Sequence, residues 1–315
     1  MKLSYALSEI LKHGTNRTWW RSRLLSRVVS RYYATRENSG TRLVNEDWDN
    51  AIILDACRYD LFEETYSEFD IKGELRKRTS LESATPGFLH ENFADETFHD
   101  LVYVSANPYI STELAASQFH DIVHVWKDGW DDDLETVTPE TMYEATVEAA
   151  SKYPEKRILS HFIQPHTPFI GKHRIGERDH FTIRDRALGN KSTTRRTRTP
   201  FERLEIGDLT YEDVWRAYRS NLERALSPTA DLLDSLDGKT VVTSDHGNAM
   251  GEHATPFPIK VYGHPMGIRI PALTHVPYFE ASWDSRKTIT AEVPVKSEGE
   301  DTDIQERLRS LGYVE

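Results

Sequence analysis

The sequence lacks several features that whole classes of protein require. Its 315 residues contain one cysteine, which excludes a disulfide scaffold and favours a reducing compartment. No apolar run approaches the roughly 20 residues needed to cross a bilayer, and the N-terminus has no apolar core of a secretory signal. Gly-rich phosphate loops of the nucleotide-binding type are also absent. We therefore expect a cytoplasmic protein with one large α/β domain or two small ones.

Charge is distributed unevenly along the chain. The net charge is -12, which argues against nucleic acid as a partner. Residues 1–45 nevertheless hold nine Lys and Arg against two acids, and residues 172–203 hold ten against four. Two basic segments therefore stand against a strongly acidic remainder, and each is a candidate surface for an anionic partner.

The first basic segment has the pattern of an amphipathic helix. Between residues 17 and 33, apolar side chains recur at helical spacing, Arg23 and Arg27 fall on the other side, and Arg21 intrudes on the apolar arc. The apolar set is Trp20, Leu24, Leu25, Val28, Val29, Tyr32 and Tyr33. This composition is typical of a helix on an anionic membrane surface. It equally suits a helix packed on its own domain with solvated arginines.

Short β-rich runs alternate with helical stretches through the rest of the chain. The candidate buried strands are residues 51–54, 101–104, 157–163 and 240–243, and the clearest helices are 139–152 and 211–236. This alternation predicts an α/β fold with a mostly parallel central sheet sandwiched by helices. We divide the chain into an N-terminal helical segment (1–45), a catalytic domain (46–280) and a C-terminal tail with a short helix (281–315).

Three of the predicted strands end in side chains that suit a metal site. Asp55 follows the first strand, Asp245 and His246 follow the last, and His166 lies in a proline-stiffened loop after the middle one. Carboxylates after two buried strands, one with an adjacent imidazole, form a natural cage for a divalent cation. Asp55 would serve equally as a helix cap, and His166 as a structural histidine. Their common position at strand ends favours the site.

The same residues carry a family resemblance. Residues 243–253, Thr-Ser-Asp-His-Gly-Asn-Ala-Met-Gly-Glu-His, resemble the metal-binding signature of the alkaline phosphatase/sulfatase superfamily in its sulfatase-like branch. Residues 165–169 are similar to the substrate-contacting histidine loop of that branch, residues 53–55 to its first metal strand, and residues 307–313 to its C-termini. The resemblance implies an alkaline phosphatase-like sheet and a metal-bound nucleophile between the first strand and the histidine loop.

The nucleophile departs from the pattern of the sulfatases proper. Those enzymes oxidise a cysteine, or a serine, in a Cys/Ser-x-Pro-x-Arg motif to formylglycine, whereas Cys57 precedes Arg-Tyr-Asp and follows Asp55 too closely. Cys57 is therefore expected to be a small buried filler. Residues 80–87, Ser-Leu-Glu-Ser-Ala-Thr-Pro-Gly, resemble the segment of threonine-using phosphoryl-transfer members. Thr85 is the expected nucleophile, with Ser83 as the runner-up and an ordinary loop cap as the alternative.

The resemblance implies a role for each site residue. The implied metal ligands are Asp55, Thr85, Asp245 and His246. His166 and His253 are implied to contact substrate oxygens or to protonate the leaving group, and Lys260 and His264 to contact oxyanions. The resemblance implies one divalent ion rather than two, since residues 161–169 hold no Asp where two-metal members supply an Asp-x-x-x-His group, and Ala56 stands where formylglycine sulfatases have a second Asp. Its identity, Mn, Mg, Ca or Zn, stays open with such mixed ligands.

These features predict sulfuryl- or phosphoryl-group chemistry, by hydrolysis or transfer, with sulfation or desulfation preferred. The substrate is expected to be a sulfated or phosphorylated small molecule or glycan, linked to a lipid or nucleotide and handled at the inner membrane face. A soluble phosphomonoesterase or phosphodiesterase and an inactive binding protein of the same fold are the alternatives. The basic insertion, residues 172–203, is expected to form either a lid over an anionic substrate or a solvated loop.

Overall fold

A seven-stranded sheet forms the centre of the computed structural model, which describes residues 11–175, 184, 188 and 198–294. The strands in these residues are β1 (Asn50–Leu54), β2 (Gly73–Thr79), β3 (Phe98–Ser105), β4 (Phe119–Val123), β5 (Trp130–Asp131), β6 (Thr136–Val137), β7 (Arg157–Phe162), β8 (Thr240–Thr243), β9 (Ala249–His253), β10 (Lys260–Gly263) and β11 (His275–Ala281). The order in the sheet is β2-β11-β8-β1-β7-β3-β4, while β5 with β6 and β9 with β10 form separate hairpins.

Helices cover the sheet. In the described residues they are α1 (Arg17–Leu24), α2 (Ser30–Ala34), α3 (Tyr59–Thr65), α4 (Thr85–Phe93), α5 (Ile110–Glu113), α6 (Val125–Asp128), α7 (Pro139–Lys152), α8 (Pro200–Glu205), α9 (Tyr211–Ser235) and α10 (Pro271–Thr274). A π-helical turn, Leu25–Val29, joins α1 to α2, and 3-10 turns lie at Leu43–Asn45, Tyr66–Glu68 and Ala116–Gln118. No helix in these residues has both the length and the apolar character that crossing a membrane requires.

The strand directions confirm the predicted α/β class. The five strands from β8 to β4 in the sheet order run parallel, and β11 is antiparallel to both β8 and β2. All five residues of β1 are buried because helices cover both faces of the sheet, as a central parallel strand requires. β1 lies between β7 and β8, so the residues that follow these three strands meet at one edge.

The sequence interpretation located the central strands and missed the outer ones. Predicted helices 139–152 and 211–236 correspond to α7 and α9, which pack against each other. β2 was missed because its sequence, Gly-Glu-Leu-Arg-Lys-Arg-Thr, has the charged composition of an exposed edge strand rather than of a core strand. The tail segment 307–313 and most of the insertion 172–203 lie outside the described residues.

His124, directly after β4, is a half-buried group that makes the stability of the fold depend on pH. Its Nδ1 accepts a hydrogen bond from Trp126 Nε1 at 3.3 Å. Burial, and then the charge of Lys127, lowers the pKa of His124 to about 4. Because the folded state favours the neutral ring, its contribution to stability is complete above the unfolded pKa of about 6.5 and is lost as the pH falls toward 4.

We expect the free energy of unfolding to fall between pH 7 and pH 5, and part of that fall to be absent from His124→Gln. The variant should lose about 1 to 2 kcal/mol less than the wild type over this interval, because glutamine takes up no proton. Urea unfolding at the two pH values measures both slopes. Equal slopes in the two proteins would show that His124 titrates normally in the folded state.

Candidate active site

The strand ends bring four predicted metal ligands together in a buried cluster. Thr85 Oγ1, in the first turn of α4, donates a hydrogen bond of 2.8 Å to Asp245 Oδ2 and lies 3.3 Å from His246 Nε2. The same His246 nitrogen is 3.4 Å from Asp245 Oδ2 and 3.6 Å from Asp55 Oδ1. All four side chains are at least 96% buried, with Thr85 the most exposed at 4%.

Neighbouring groups fix the direction of three of the four ligands. Asn107 Nδ2 donates to Asp55 Oδ2 at 2.8 Å, which leaves Oδ1 facing His246. The amide of Ala56 donates to Asp245 Oδ1 at 2.9 Å, from a left-handed backbone conformation with φ of 60°. His246 Nδ1 lies 2.9 Å from the Gly247 carbonyl, which only accepts. Nδ1 therefore carries the proton, and Nε2 presents its lone pair to the cluster.

His161 is a member of the cluster to which the sequence analysis assigned no role. It lies in β7 and is 1% exposed, with its Nδ1 2.8 Å from the Tyr103 hydroxyl. Its Nε2 lies 3.8 Å from Oδ2 of both Asp55 and Asp245. Ligand atoms of these three residues all fall within 4.8 Å of one another. In the sequence it is a histidine inside an apolar strand run, directly before the strand end, and a packed core histidine would give the same pattern.

The residues present fit a divalent cation. Asp55 Oδ1 and His161 Nε2 are buried without a hydrogen-bond partner among the described residues, although such groups are normally paired. Donor atoms of a four-coordinate ion lie roughly 3.3 Å apart when the bonds are about 2.0–2.1 Å long. The spacings around His246 Nε2, from 3.3 to 3.6 Å, are close to that value. Carboxylate, imidazole and hydroxyl donors suit Mn, Mg, Ca or Zn.

The electrostatics of the carboxylate pair also call for a cation. Burial, and then the charge of Asp245, raises the pKa of Asp55 well above its ordinary value. Burial pushes the pKa of Asp245 upward too, but the interactions with His246 and His161 and the hydrogen bonds from the Ala56 amide and Thr85 outweigh it, so that pKa lies below its ordinary value. Without a cation, one carboxylate is therefore ionised and the other resists ionisation. A divalent ion would allow both to ionise, so its affinity should rise with pH.

His166 and His264 lie beside the cluster. The two Nε2 atoms are 3.0 Å apart, and the ring of His264 stacks on that of His246 with 4.6 Å between centroids. Burial, with the interaction with His246 as a further cause, lowers the pKa of His166 to about 4 and that of His264 well below its usual value. Asn221 on α9 supports this loop, because its Nδ2 donates to the His166 carbonyl at 2.9 Å. Neutral imidazoles thus line one side of the site.

The remaining predicted residues lie elsewhere or are occupied. His253 and Lys260 stand opposite each other on the β9–β10 hairpin, and both are exposed. Their roles at the site stay predictions. Ser83 Oγ donates to the Pro265 carbonyl at 2.9 Å, so this hydroxyl is engaged in holding a loop. Cys57 is fully buried, and its amide donates to Ser244 Oγ at 2.8 Å.

Gly247 is required by a close backbone contact directly after His246. A Cβ at this position would lie 2.3 Å from the Ala272 carbonyl oxygen. We expect Gly247→Ala to displace the carbonyl that orients His246, and to weaken metal binding by at least about tenfold, as loss of a ligand's orienting partner does. Calorimetric titration with Mn²⁺ or Zn²⁺ measures this. An unchanged affinity in a folded variant would contradict the orienting role.

Comparisons with known proteins found similar solved structures at low sequence identity. No family model and no curated sequence matches the chain. The structure is similar to the integral membrane protein lipooligosaccharide phosphoethanolamine transferase A from Neisseria meningitidis, with a TM-score of 0.45, 12% identity, and coverage of 86% of this chain and 59% of that one. It is also similar to the C-terminal periplasmic domain of phosphoethanolamine transferase EptC from Campylobacter jejuni, with a TM-score of 0.42, 16% identity, and coverage of 73% and 77%.

A third similar structure is a protein in the alkaline phosphatase superfamily from Vibrio parahaemolyticus. Its TM-score is 0.37 at 13% identity, over 82% of this chain and 68% of that one. The present chain spans less than two thirds of the length of the first of these three proteins.

Proposed function

We propose that this chain is a metal-dependent phosphoryl-transfer enzyme of the alkaline phosphatase/sulfatase type, with Thr85 as its nucleophile. The observation that carries the proposal is the position of the Thr85 hydroxyl, which lies among the donor atoms of two carboxylates and an imidazole. A structural threonine at a helix start would not need such neighbours. The motif resemblance at residues 243–253 and 80–87 supports the same assignment.

The residues of the site have different roles in phosphoryl transfer. A divalent ion held by Asp55, Asp245, His246 and Thr85 would lower the pKa of the hydroxyl and offset charge on the transferring group. Asp245 Oδ2 accepts the hydrogen bond of Thr85 and so orients its oxygen. Thr85 also begins α4, whose N-terminal amides favour an anionic group.

The reaction proceeds in two displacements. Thr85 Oγ1 forms a bond to phosphorus as the bond to the leaving oxygen breaks, and the proton of the hydroxyl leaves with that oxygen. Water or a sugar hydroxyl then displaces Thr85 and returns a proton to it. Because their pKa values are lowered, His166 and His264 hold substrate oxygens as neutral rings at pH 7 and are not the acids.

Phosphoryl chemistry is proposed in place of the sulfuryl chemistry that the sequence analysis preferred. A hydroxyl nucleophile needs no formylglycine, and Cys57 is buried with its amide bound to Ser244. A lipid- or nucleotide-linked glycan remains the proposed substrate, with the chain peripheral on the inner membrane face. Sulfuryl transfer, a soluble phosphomonoesterase or phosphodiesterase, and an inactive binding protein are the competing outcomes.

An assay of three synthetic esters tests the proposal. Chelator-treated protein is reconstituted separately with Mn²⁺, Zn²⁺, Mg²⁺ and Ca²⁺, and given p-nitrophenyl phosphate, bis(p-nitrophenyl) phosphate and p-nitrophenyl sulfate. We expect metal-dependent turnover of a phosphate ester that exceeds turnover of the sulfate. Faster turnover of the sulfate would replace phosphoryl with sulfuryl chemistry. No turnover of any ester by protein that binds metal would favour the binding protein.

A further inference from the structure

The outer face of the N-terminal helices exposes an apolar row. Trp20, Leu24 and Val28 are 40%, 42% and 49% exposed. On the inner face Leu25, Val29 and Tyr33 are buried in a small core with residues of the β9–β10 hairpin and the chain that follows it. The helices thus pack on their own domain, as one alternative held, and still leave three of the seven apolar side chains facing away from it. Such a row marks an interaction surface.

Contacts with the domain hold this face outward. Arg21 forms an ion pair with Glu205 of α8, and its guanidinium lies over the ring of Tyr262. Near the other end, the Tyr33 hydroxyl donates to the Thr255 carbonyl at 2.6 Å. Trp20 Nε1 donates to the Gly14 carbonyl at 2.8 Å, so the polar atom of the indole is satisfied and the ring can enter an apolar medium. The orientation of the row is therefore built into the fold.

The charged residues that border this row in the sequence are all basic. Residues 10–36 contain seven Lys and Arg and no Asp or Glu. Arg17 and Arg31 are exposed, and neither forms an ion pair with the described part of the chain. Apolar side chains bordered by arginines match the acyl boundary and the headgroups of an anionic bilayer. A second copy of the same face would instead set arginines against arginines.

The helices that carry the outer face also contact a loop of the active site. The helices contact the loop between β10 and α10, since a Cβ at Gly267 would lie 3.4 Å from Ser30 Cβ. That loop begins at His264, whose ring stacks on His246, and includes Met266, which is 55% exposed. Its Pro265 carbonyl accepts from Ser83, two residues before Thr85. One short loop therefore links the helices that carry the outer face to the surroundings of the nucleophile.

We infer that the outer face, Trp20, Leu24 and Val28 with Arg17 and Arg31, docks on an anionic lipid bilayer and holds the active site at its surface. The substrate class that follows is an ester whose phosphoryl group is carried by, or delivered to, a lipid headgroup. This second part rests on the proposed phosphoryl-transfer function, whereas docking itself does not.

Vesicle sedimentation with the full chain tests the docking, in the absence of substrate. Vesicles of phosphatidylcholine alone are compared with vesicles that also contain phosphatidylglycerol. We expect binding to the anionic vesicles, weakened by salt, and a loss of at least about tenfold in the partition coefficient when Trp20, Leu24 and Val28 are all changed to serine. Trp283→Ser removes an equally exposed tryptophan, at 43%, and should bind as the wild type does. Arg17→Glu with Arg31→Glu should reduce binding to anionic vesicles only.

The outcomes separate docking from catalysis. The triple serine variant should hydrolyse a soluble phosphate ester at the wild-type rate, because its changes point away from the site. Docking would be overturned if that variant bound the anionic vesicles as strongly as the wild type does, or if the wild type did not bind them. The ester assay would still test the proposed function. Docking would also be overturned if the wild type formed a dimer and bound no vesicles, while the triple variant was a monomer. That result would show that the face joins two copies of the chain.

Discussion

Thr85→Ala is expected to lower kcat for a phosphate ester by at least about a thousandfold, because it removes the atom that forms the covalent bond. Thr85→Ser keeps the hydroxyl and should retain far more activity than Thr85→Ala. Both variants should stay folded, since the threonine methyl group contributes little to the core. Steady-state kinetics on metal-reconstituted protein, with circular dichroism as the folding control, measures the effect.

Ser83→Ala is the matched control for the nucleophile. Its hydroxyl donates to the Pro265 carbonyl and accepts from the Ile268 amide at 3.3 Å, so its loss should loosen a loop and cost less than about tenfold in kcat. If Ser83→Ala abolishes turnover while Thr85→Ala preserves it, the runner-up is the nucleophile. If both variants keep the wild-type rate, neither hydroxyl forms the covalent bond.

Asp55→Asn is expected to change the stability of the protein in opposite directions with and without metal. Burial and the charge of Asp245 raise the pKa of Asp55, so the ionised carboxylate opposes folding at neutral pH when no cation is present. The amide keeps an oxygen for Asn107 and removes that charge, so the chelator-treated variant should melt at a higher temperature than the wild type. The same change removes a ligand, so added metal should stabilise the variant much less.

Thermal melts of both proteins with chelator and with excess metal measure these shifts. A ligand at a thousand times its Kd stabilises a protein by about 4 kcal/mol, and most of that gain should disappear in Asp55→Asn. A third sign follows from the raised pKa: as the pH falls from 7 toward the ordinary carboxyl pKa, the metal-free wild type should lose less stability than the variant, because Asp55 takes up its proton in the folded state before it does in the unfolded state. Asp231→Asn on the exposed side of α9 should leave all three results unchanged. Equal stabilisation of Asp55→Asn by metal would remove Asp55 from the ligand set.

The central strands and the core of the candidate site could both be predicted from one feature of the sequence. Buried parallel strands leave continuous apolar runs, and a polar residue at the end of such a run is easy to see. β1 pairs with β7 and β8, with Ile53 opposite both His161 and Thr243, so the positions after Ile53 and Thr243 converge. Asp55 and Asp245 could therefore be expected to meet before the sheet order was known.

His161 could not be recognised in the same way. A single histidine in a buried strand has no pattern that distinguishes a ligand from a packed core residue, and only the strand order puts it beside β1. His253 and Lys260 show the opposite difficulty, since a motif gives their spacing but not the direction of their side chains on a hairpin. Both side chains are exposed there.

The N-terminal segment shows a limit of helical periodicity. The sequence put Trp20, Leu24, Leu25 and Val28 on one apolar arc, as a regular helix would. In the structure a π-helical turn spans Leu25–Val29, and the arc divides into a buried inner row and an exposed outer row. A wider turn changes the angle between successive residues, and local sequence gives no sign of it.

The most direct test of the central claim is a crystal structure of the metal-loaded chain, with anomalous scattering to locate the ion. The account predicts one ion, bonded to carboxylate oxygens of Asp55 and Asp245, to His246 Nε2 and to Thr85 Oγ1. An ion that contacts the carboxylates but not the Thr85 hydroxyl, or an ion bound at another place in the chain, would contradict it.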